Sequence, residues 1–210
     1  MAGVMTIERN EATAPAATGR GLKYLEQVAE VEGRRGLPPV HLWHPENCGE
    51  LDIRIAADGQ WFYMGTPIER QRLVRLFSTV LRHDDDGRHY LVTPVEKIGI
   101  AVEDAPFVAV EMAVDGKGRD QRISLRTNVD DVVSVDEDHP LRFVEQEETG
   151  GLKPYVLVRG RLEALLSRAI FYDLVELGAT EAQKGVEMFG VWSAGTFFPM
   201  APAAEIWAED

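Results

Sequence analysis

The residues best suited to chemistry in this sequence are arginines, threonines and short acidic or histidine-bearing runs placed near turns. Thr66-Pro67-Ile68-Glu69-Arg70 and Arg159-Gly160-Arg161 stand where two helices are expected to begin. A helix N-terminus leaves its first N–H groups unpaired, and a nearby guanidinium offers a planar fork, so such a start suits a phosphate or a carboxylate. The competing reading makes these arginines surface groups bonded to some of the 35 Asp and Glu residues. Thr93-Pro94-Val95-Glu96-Lys97 is a polar loop, either a ligand loop or a turn held by its proline. Together Thr66, Arg70, Thr93, Glu96, Lys97, Arg159, Arg161 and Ser193 make up the candidate ligand site.

Two clusters have the composition of a metal site without its spacing. His41, His44 and Cys48 lie close together with Glu46, but no second ligand pair follows at the distance of a zinc motif, and packing is the expected role. His83, Asp84, Asp85, Asp86 and His89 lack the spaced oxygens and terminal glutamate of a calcium loop, so a solvated turn or a domain junction is expected. No metal site and no catalytic residue are therefore assigned, and the chain reads as a binding protein rather than an enzyme. An enzyme would need a base such as Glu96 or Glu163 beside a histidine. No cofactor is indicated.

These groups must be positioned by a recognisable set of elements. Residues 1–19 are rich in Ala and Thr without an apolar period, which predicts a disordered tail. Leu22, Leu25, Val28, Ala29 and Val31 keep helical spacing until Gly33, Gly36 and Pro38-Pro39. Leu51, Ile53 and Ile55 alternate with polar residues, and Asp58-Gly59 predicts a tight turn into a second strand over residues 60–64. The sequence Thr-Pro-Ile-Glu at 66–69 has the form of a capping box and predicts a helix over 67–82.

Seven short apolar segments follow: 90–93, 97–102, 107–114, 121–127, 131–135, 141–144 and 155–158. Leu162, Leu165, Leu166, Ala169, Ile170 and Leu174 then predict a helix over about 161–177. A weak echo at a spacing of 94 residues aligns Trp61, Leu76 and Phe77 on Tyr155, Ile170 and Phe171, which suggests a duplicated strand-plus-helix unit. The fold expected is α+β in two domains that share this motif. The C-terminal one is a bent, antiparallel, seven-stranded sheet or partial barrel closed by a helix. The division expected is a tail at 1–19, a domain at 20–86, a domain at 87–200 and a tail at 201–210.

Charge narrows the partners. Twenty-two Lys and Arg against 35 Asp and Glu leave a formal charge of −13, which sets aside nucleic-acid polymers and anionic membranes while permitting one small anion in a local basic pocket. No apolar run approaches the roughly 20 residues of a membrane span, and Glu8, Arg9 and Glu11 interrupt any leader. Cys48 is the single cysteine, in keeping with a reducing compartment, and a cytoplasmic protein is expected. A protein partner is the alternative to a small ligand.

Trp43-His44-Pro45, Cys48-Gly49, Asp58-Gly59-Gln60-Trp61, Gly65-Thr66-Pro67-Ile68-Glu69-Arg70, Leu91-Val92-Thr93-Pro94-Val95-Glu96-Lys97, Val158-Arg159 with Leu162-Glu163-Ala164, and Trp192-Ser193 with Gly195 and Phe197-Phe198 follow one another in this order. Taken together these segments resemble the bacterial domain of unknown function 1285. The resemblance implies a small N-terminal domain and a larger C-terminal domain with a shared core motif, the latter superficially like a pleckstrin-homology fold. It also implies a ligand site at the domain interface, nucleotide-like, and a role in signal transduction.

Overall fold

The computed structural model describes residues 36–146 and 150–206; the expected tail at 1–19 and the expected helix over Leu22–Val31 lie outside them. After a single 3-10 turn at Val40–Leu42, the chain builds a six-stranded sheet. Its strands are β1 (Asn47–Ile55), β2 (Trp61–Tyr63), β3 (Thr66–Pro67), β4 (Leu81–His83), β5 (His89–Val92) and β6 (Lys97–Val102), with helix α1 (Gln71–Thr79) between β3 and β4. The spatial order is β3-β2-β1-β6-β5-β4. All neighbours are antiparallel except the central pair, where β1 and β6 run parallel.

The expected first hairpin is present. Ile53 and Ile55 are buried on one face of β1 and pair with Tyr63 and Trp61. Gly59 takes a φ of +81° at the turn, and Asp58 Oδ1 accepts the Gln60 N–H at 2.9 Å, the local bond that makes Asp-Gly a turn former. The helix after it is shorter than its sequence suggests, running over 71–79 instead of 67–82. Met64 and Gly65 both adopt positive φ and fold Thr66 and Pro67 back onto Tyr63 and Phe62 as an edge strand. Proline is tolerated there because an edge residue need not donate to a further strand. The capping box consequently caps nothing, and Arg70 is the N-cap, without a side-chain bond. At the other end Leu81, Arg82 and His83 leave the helix to pair with Leu91, Tyr90 and His89. The run 83–89 is thus a hairpin turn inside the first sheet and not a domain junction, and the sheet continues past residue 86 to Val102.

The second sheet comprises β7 (Phe107–Asp115), β8 (Arg122–Thr127), β9 (Val132–Ser134), β10 (Leu141–Glu145), β11 (Leu152–Arg159) and β12 (Leu162–Leu166), in the order β10-β11-β12-β7-β8-β9. It is curled, and helix α2 (Arg168–Glu176) packs against β7. Two of the seven expected strands belong to the first sheet; the other five, joined by the unexpected β12, make six here, with β7 and β12 parallel at the centre. The first turns of the expected helix over 161–177 are strand β12. Gly160 takes a φ of +55° and closes a β11–β12 hairpin. Leu162, Ala164 and Leu166 are then buried while Glu163 and Leu165 are less so. Leu-Glu-Ala-Leu-Leu consists of good helix formers, but an apolar slot between β11 and β7 rewards the two-residue period, and that burial outweighs a propensity of tenths of a kcal/mol per residue.

Three further strands, β13 (Ala179–Gln183), β14 (Val186–Ser193) and β15 (Thr196–Pro202), form a meander that sequence reading left out, followed by α3 (Ala203–Ile206). The fold is α+β in two domains, mostly sheet with few helices. Its internal repeat is not the 94-residue echo: Trp61 sits on β2 and Tyr155 on β11, and α1 precedes β4 whereas α2 follows β12. What repeats is the strand order. Each six-stranded sheet is a pair of three-stranded meanders joined by a parallel central pair, and adding six to every label of the first sheet gives the second.

One continuous apolar cluster joins the two sheets and the third. Ile55, Trp61 and Leu81 contribute from the first sheet and Phe77 from helix α1 beside it, Phe107, Ile123, Val156 and Leu162 from the second, and Val191 and Phe198 from the third. Trp61 stacks on Phe77 with ring centroids 6.1 Å apart.

Candidate functional site

The domains meet where the β4 edge and the end of α1 face the β11–β12 hairpin. Three adjoining hollows open along this seam, of about 460, 410 and 450 Å³, and His83 and Arg161 stand in the wall of all three. The first has a largely apolar lining from Leu37, Pro38, Val40, Leu81 and Leu162. The others are bordered largely by charged and imidazole side chains, Asp84 and Asp85 together with Arg142 and Glu163 in one and with His41, His44 and Lys97 in the other.

The β4–β5 turn holds the polar groups in place. Gly87 at a φ of +76° lets the chain reverse, and Asp84 N–H donates to the Arg88 carbonyl at 3.0 Å. Arg82 ties this turn to the N-terminal segment: Nη1 donates to the carbonyls of Val40 at 2.8 Å and Trp43 at 2.7 Å, and Nε donates to Asp84 Oδ1 at 2.5 Å. Lys97 Nζ reaches Asp84 Oδ2 at 2.6 Å and lies 3.9 Å from the centre of the Tyr90 ring. Burial raises the Asp84 carboxyl, but the bonds and charges of Arg82 and Lys97 outweigh it and hold the pKa below the ordinary carboxylate value. Asp84 is therefore an anion locked between two cations.

His83 and His89, opposite each other on β4 and β5, stack with ring centroids 4.4 Å apart and planes 10° apart. Burial, reinforced by the neighbouring imidazole, pushes His89 down to about 4, so this ring is neutral at pH 7. His83 Nδ1 lies 3.2 Å from the Arg161 carbonyl across the seam. Arg161 pairs through its guanidinium with Asp85. Arg142 grips Glu163 through two bonds of 2.9 and 2.6 Å, which occupies one of the two carboxylates that an enzyme would need as a base.

The residues expected from the sequence separate into two groups. Lys97, Arg159 and Arg161 line the crevice. Arg159 is nevertheless a stitch and not a free cation: it pairs with Asp131, donates to the Ser78 carbonyl at the end of α1 at 2.7 Å, and lies 4.8 Å from the centre of the Phe107 ring. Because Arg159-Gly160-Arg161 forms a hairpin turn and not a helix start, no unpaired helical N–H groups back it. Thr66 and Arg70 are exposed near β3, at the opposite edge of the first sheet from β4. Thr93 is buried, and its hydroxyl accepts the N–H groups of Val95 at 3.3 Å and Glu96 at 3.0 Å, so it and Glu96 close the β5–β6 turn. Ser193 is fully buried: Ile123 N–H donates to its Oγ at 3.0 Å, and Oγ donates to the Val135 carbonyl at 2.6 Å. It pins the third sheet to the second and lies away from the crevice.

Sequence reading passed over Leu37, Leu81, Leu162, Arg82 and Arg142 as site residues. Leu81 and Leu162 read only as apolar positions of helices and Leu37 carried no signal, while the carbonyls that Arg82 holds lie 39 or more positions away and the carboxylate that Arg142 holds lies 21 away. Among the described residues, no three His, Cys, Asp or Glu side chains converge as metal ligands, and no helix is long and apolar enough to cross a membrane.

Comparison with known proteins places this architecture. Residues 38–105 match the N-terminal domain of DUF1285, a domain of unknown function, and residues 106–200 match the C-terminal domain of the DUF1285 proteins of unknown function. That division falls between β6 and β7, where one sheet gives way to the next. A crystal structure of a DUF1285 family protein from Silicibacter pomeroyi DSS-3 is similar at 48% identity over 87% of this chain and 97% of that one, with a TM-score of 0.77. A second, from Shewanella baltica OS155, shares 27% identity over 60% of this chain and 91% of that one, with a TM-score of 0.48. No curated protein matches. With the two family domains matched end to end across both sheets, the chain belongs to the DUF1285 family.

Proposed function

We propose that this chain is a ligand-binding protein that holds a small anionic molecule in the crevice between its two domains. The observation that carries the reading is that three hollows converge on His83 and Arg161, one from each domain, with an apolar compartment on one side and polar ones on the other. A pocket of a few hundred Å³ with an apolar body and a few polar groups is the usual form of a small-molecule site, and domain interfaces are a preferred place for it. A molecule bridging Leu81 and His83 of one domain to Arg161 and Leu162 of the other would hold the two in a fixed relation. A signalling role would rest on such a step, and the nucleotide-like ligand implied by the family resemblance is one version of it.

Thermal unfolding in the presence of nucleoside mono- and triphosphates, sugar phosphates and organic carboxylates tests the reading. A ligand at 100 times its Kd stabilises by about 2.7 kcal/mol, which for a chain of this size raises Tm by roughly 5–10 °C. Arg161→Ala should remove the shift. If no class of anion moves the melting curve of the parent protein, the crevice is not a ligand site.

A further inference from the structure

The class of ligand follows from which charge at the crevice is free to leave its partner; this step rests on the reading of the crevice as the ligand site. Taking Arg82 would strand the carbonyls of Val40 and Trp43 along with Asp84. Lys97 is held by Asp84 and Tyr90, Arg142 donates two bonds to Glu163, and Arg159 is held by Asp131 and the Ser78 carbonyl. Arg161 differs. Among the described residues its guanidinium has one partner, Asp85, whose side chain is 99% exposed while that of Arg161 is 55% exposed, and exposed pairs of this kind exchange at little cost. Breaking the Arg82, Lys97 or Arg159 pair leaves largely buried polar groups unmatched, which costs several times more; Arg142 is half exposed, but freeing it gives up two bonds to Glu163 and its place over the Tyr155 ring.

Among the described residues that line the crevice, one readily exchanged cation is thus available, and the neighbouring carboxylates limit what it can take. Asp84, Asp85 and Asp86 border the same polar hollow as Arg161, so a second or third negative charge on the ligand would meet anions and, among the described residues, no further exchangeable cation. On the other side of Arg161 lies the apolar hollow of about 460 Å³ walled by Leu37, Pro38, Val40, Leu81 and Leu162. We infer that the crevice selects an amphipathic monocarboxylate, with its carboxylate on Arg161 in place of Asp85 and its apolar body in the hollow, and that it discriminates against polyphosphates.

Isothermal titration of the full chain at low salt with octanoate, 1-octanol and ATP decides it. Octanoate should bind at least tenfold more tightly than 1-octanol, which has the same body without the charge, and more tightly than ATP. Arg161→Ala should weaken octanoate about tenfold or more, and Asp85→Asn, which removes the competing carboxylate, should strengthen it severalfold. Leu37→Asp should weaken it tenfold or more by placing a charge in the apolar hollow. Leu37 is half exposed, so an unchanged Tm for that variant separates lost binding from lost folding. If ATP binds more tightly than octanoate and depends on Arg161, the monocarboxylate class is wrong while the crevice reading survives. Octanoate binding that ignores both Arg161→Ala and Leu37→Asp would be adventitious and would overturn the class. Failure of every anion to bind would remove both readings.

Discussion

The seam between the two domains has two ends that use the same residue types to opposite effect. At the closed end Arg159 reaches the Ser78 carbonyl, Arg75 pairs with Asp130, and Asn128 accepts the Val108 N–H while donating to the Gly59 carbonyl at 3.3 Å. Arg159 and Asn128 each have partners on both domains, and Arg75 spans the seam to Asp130. At the open end the guanidinium of Arg161, two residues from Arg159, meets among the described residues only the solvent-exposed Asp85. The Gly160 turn is the cause, because it points one guanidinium inward over Phe107 and the next toward solvent. An arginine that satisfies backbone carbonyls serves stability, and one that holds an exposed carboxylate is available for exchange.

Substitutions along the seam can break this contrast. Arg159→Ala should have the largest effect, about 2–4 kcal/mol in chemical denaturation, since it removes a largely buried pair and leaves Asp131 and the Ser78 carbonyl unmatched. A loss no larger than that of Arg161→Ala would erase the distinction between the two ends.

Next comes pH. His89 titrates near 4 in the folded chain against an ordinary 6.5, so between those values the unfolded chain binds the additional proton and stability falls as pH falls. The contribution is fully present above pH 6.5 and is lost by about pH 4. For a half-buried, partly screened ring it amounts to about 1–2 kcal/mol. Denaturation midpoints across that window should flatten in His89→Phe. A slope unchanged by the substitution would assign the loss to other groups.

Gly59→Ala should cost about 1–2 kcal/mol, because a Cβ at a φ of +81° would also stand 2.6 Å from Asn128 Nδ2 across the seam. Combining it with Asn128→Ala should recover part of that loss if the clash, and not the backbone alone, is responsible. The smallest effect belongs to Arg161→Ala, under about 0.5 kcal/mol on stability, with its consequence confined to ligand binding.

Much of the local structure was legible in the residue order. Alternation over 51–55 and the Asp-Gly turn identified the first hairpin, and the seven apolar segments from residue 90 each became all or part of a strand. Two helices were expected near the right places, but both were extended over residues that pair as strands. At 66–67 and 162–166 the local signals, a capping box and a run of helix formers, favoured a helix. Tyr63 and Phe62 in one case, and β11 and β7 in the other, supplied strand partners that no local pattern records. The β13–β15 meander was missed for a similar reason, since much of its apolar surface packs against the second sheet.

The candidate site was legible only in part. Lys97, Arg159 and Arg161 were identified as cations near turns, and all three do line the crevice. Thr93 and Ser193 are buried hydroxyls that satisfy backbone N–H and C=O groups, a use of the residue that sequence cannot separate from ligand binding.

Composition and spacing by themselves established an acidic α+β chain, rich in strands, with arginines gathered beside turns. Those are consequences of side-chain charge and of backbone periods spanning a few residues. Which arginine is saturated and which is exchangeable was decided by the tertiary structure alone. That difference depends on carbonyls and carboxylates brought within 3 Å from as far as 81 positions away, and on how much water the finished seam leaves around each pair.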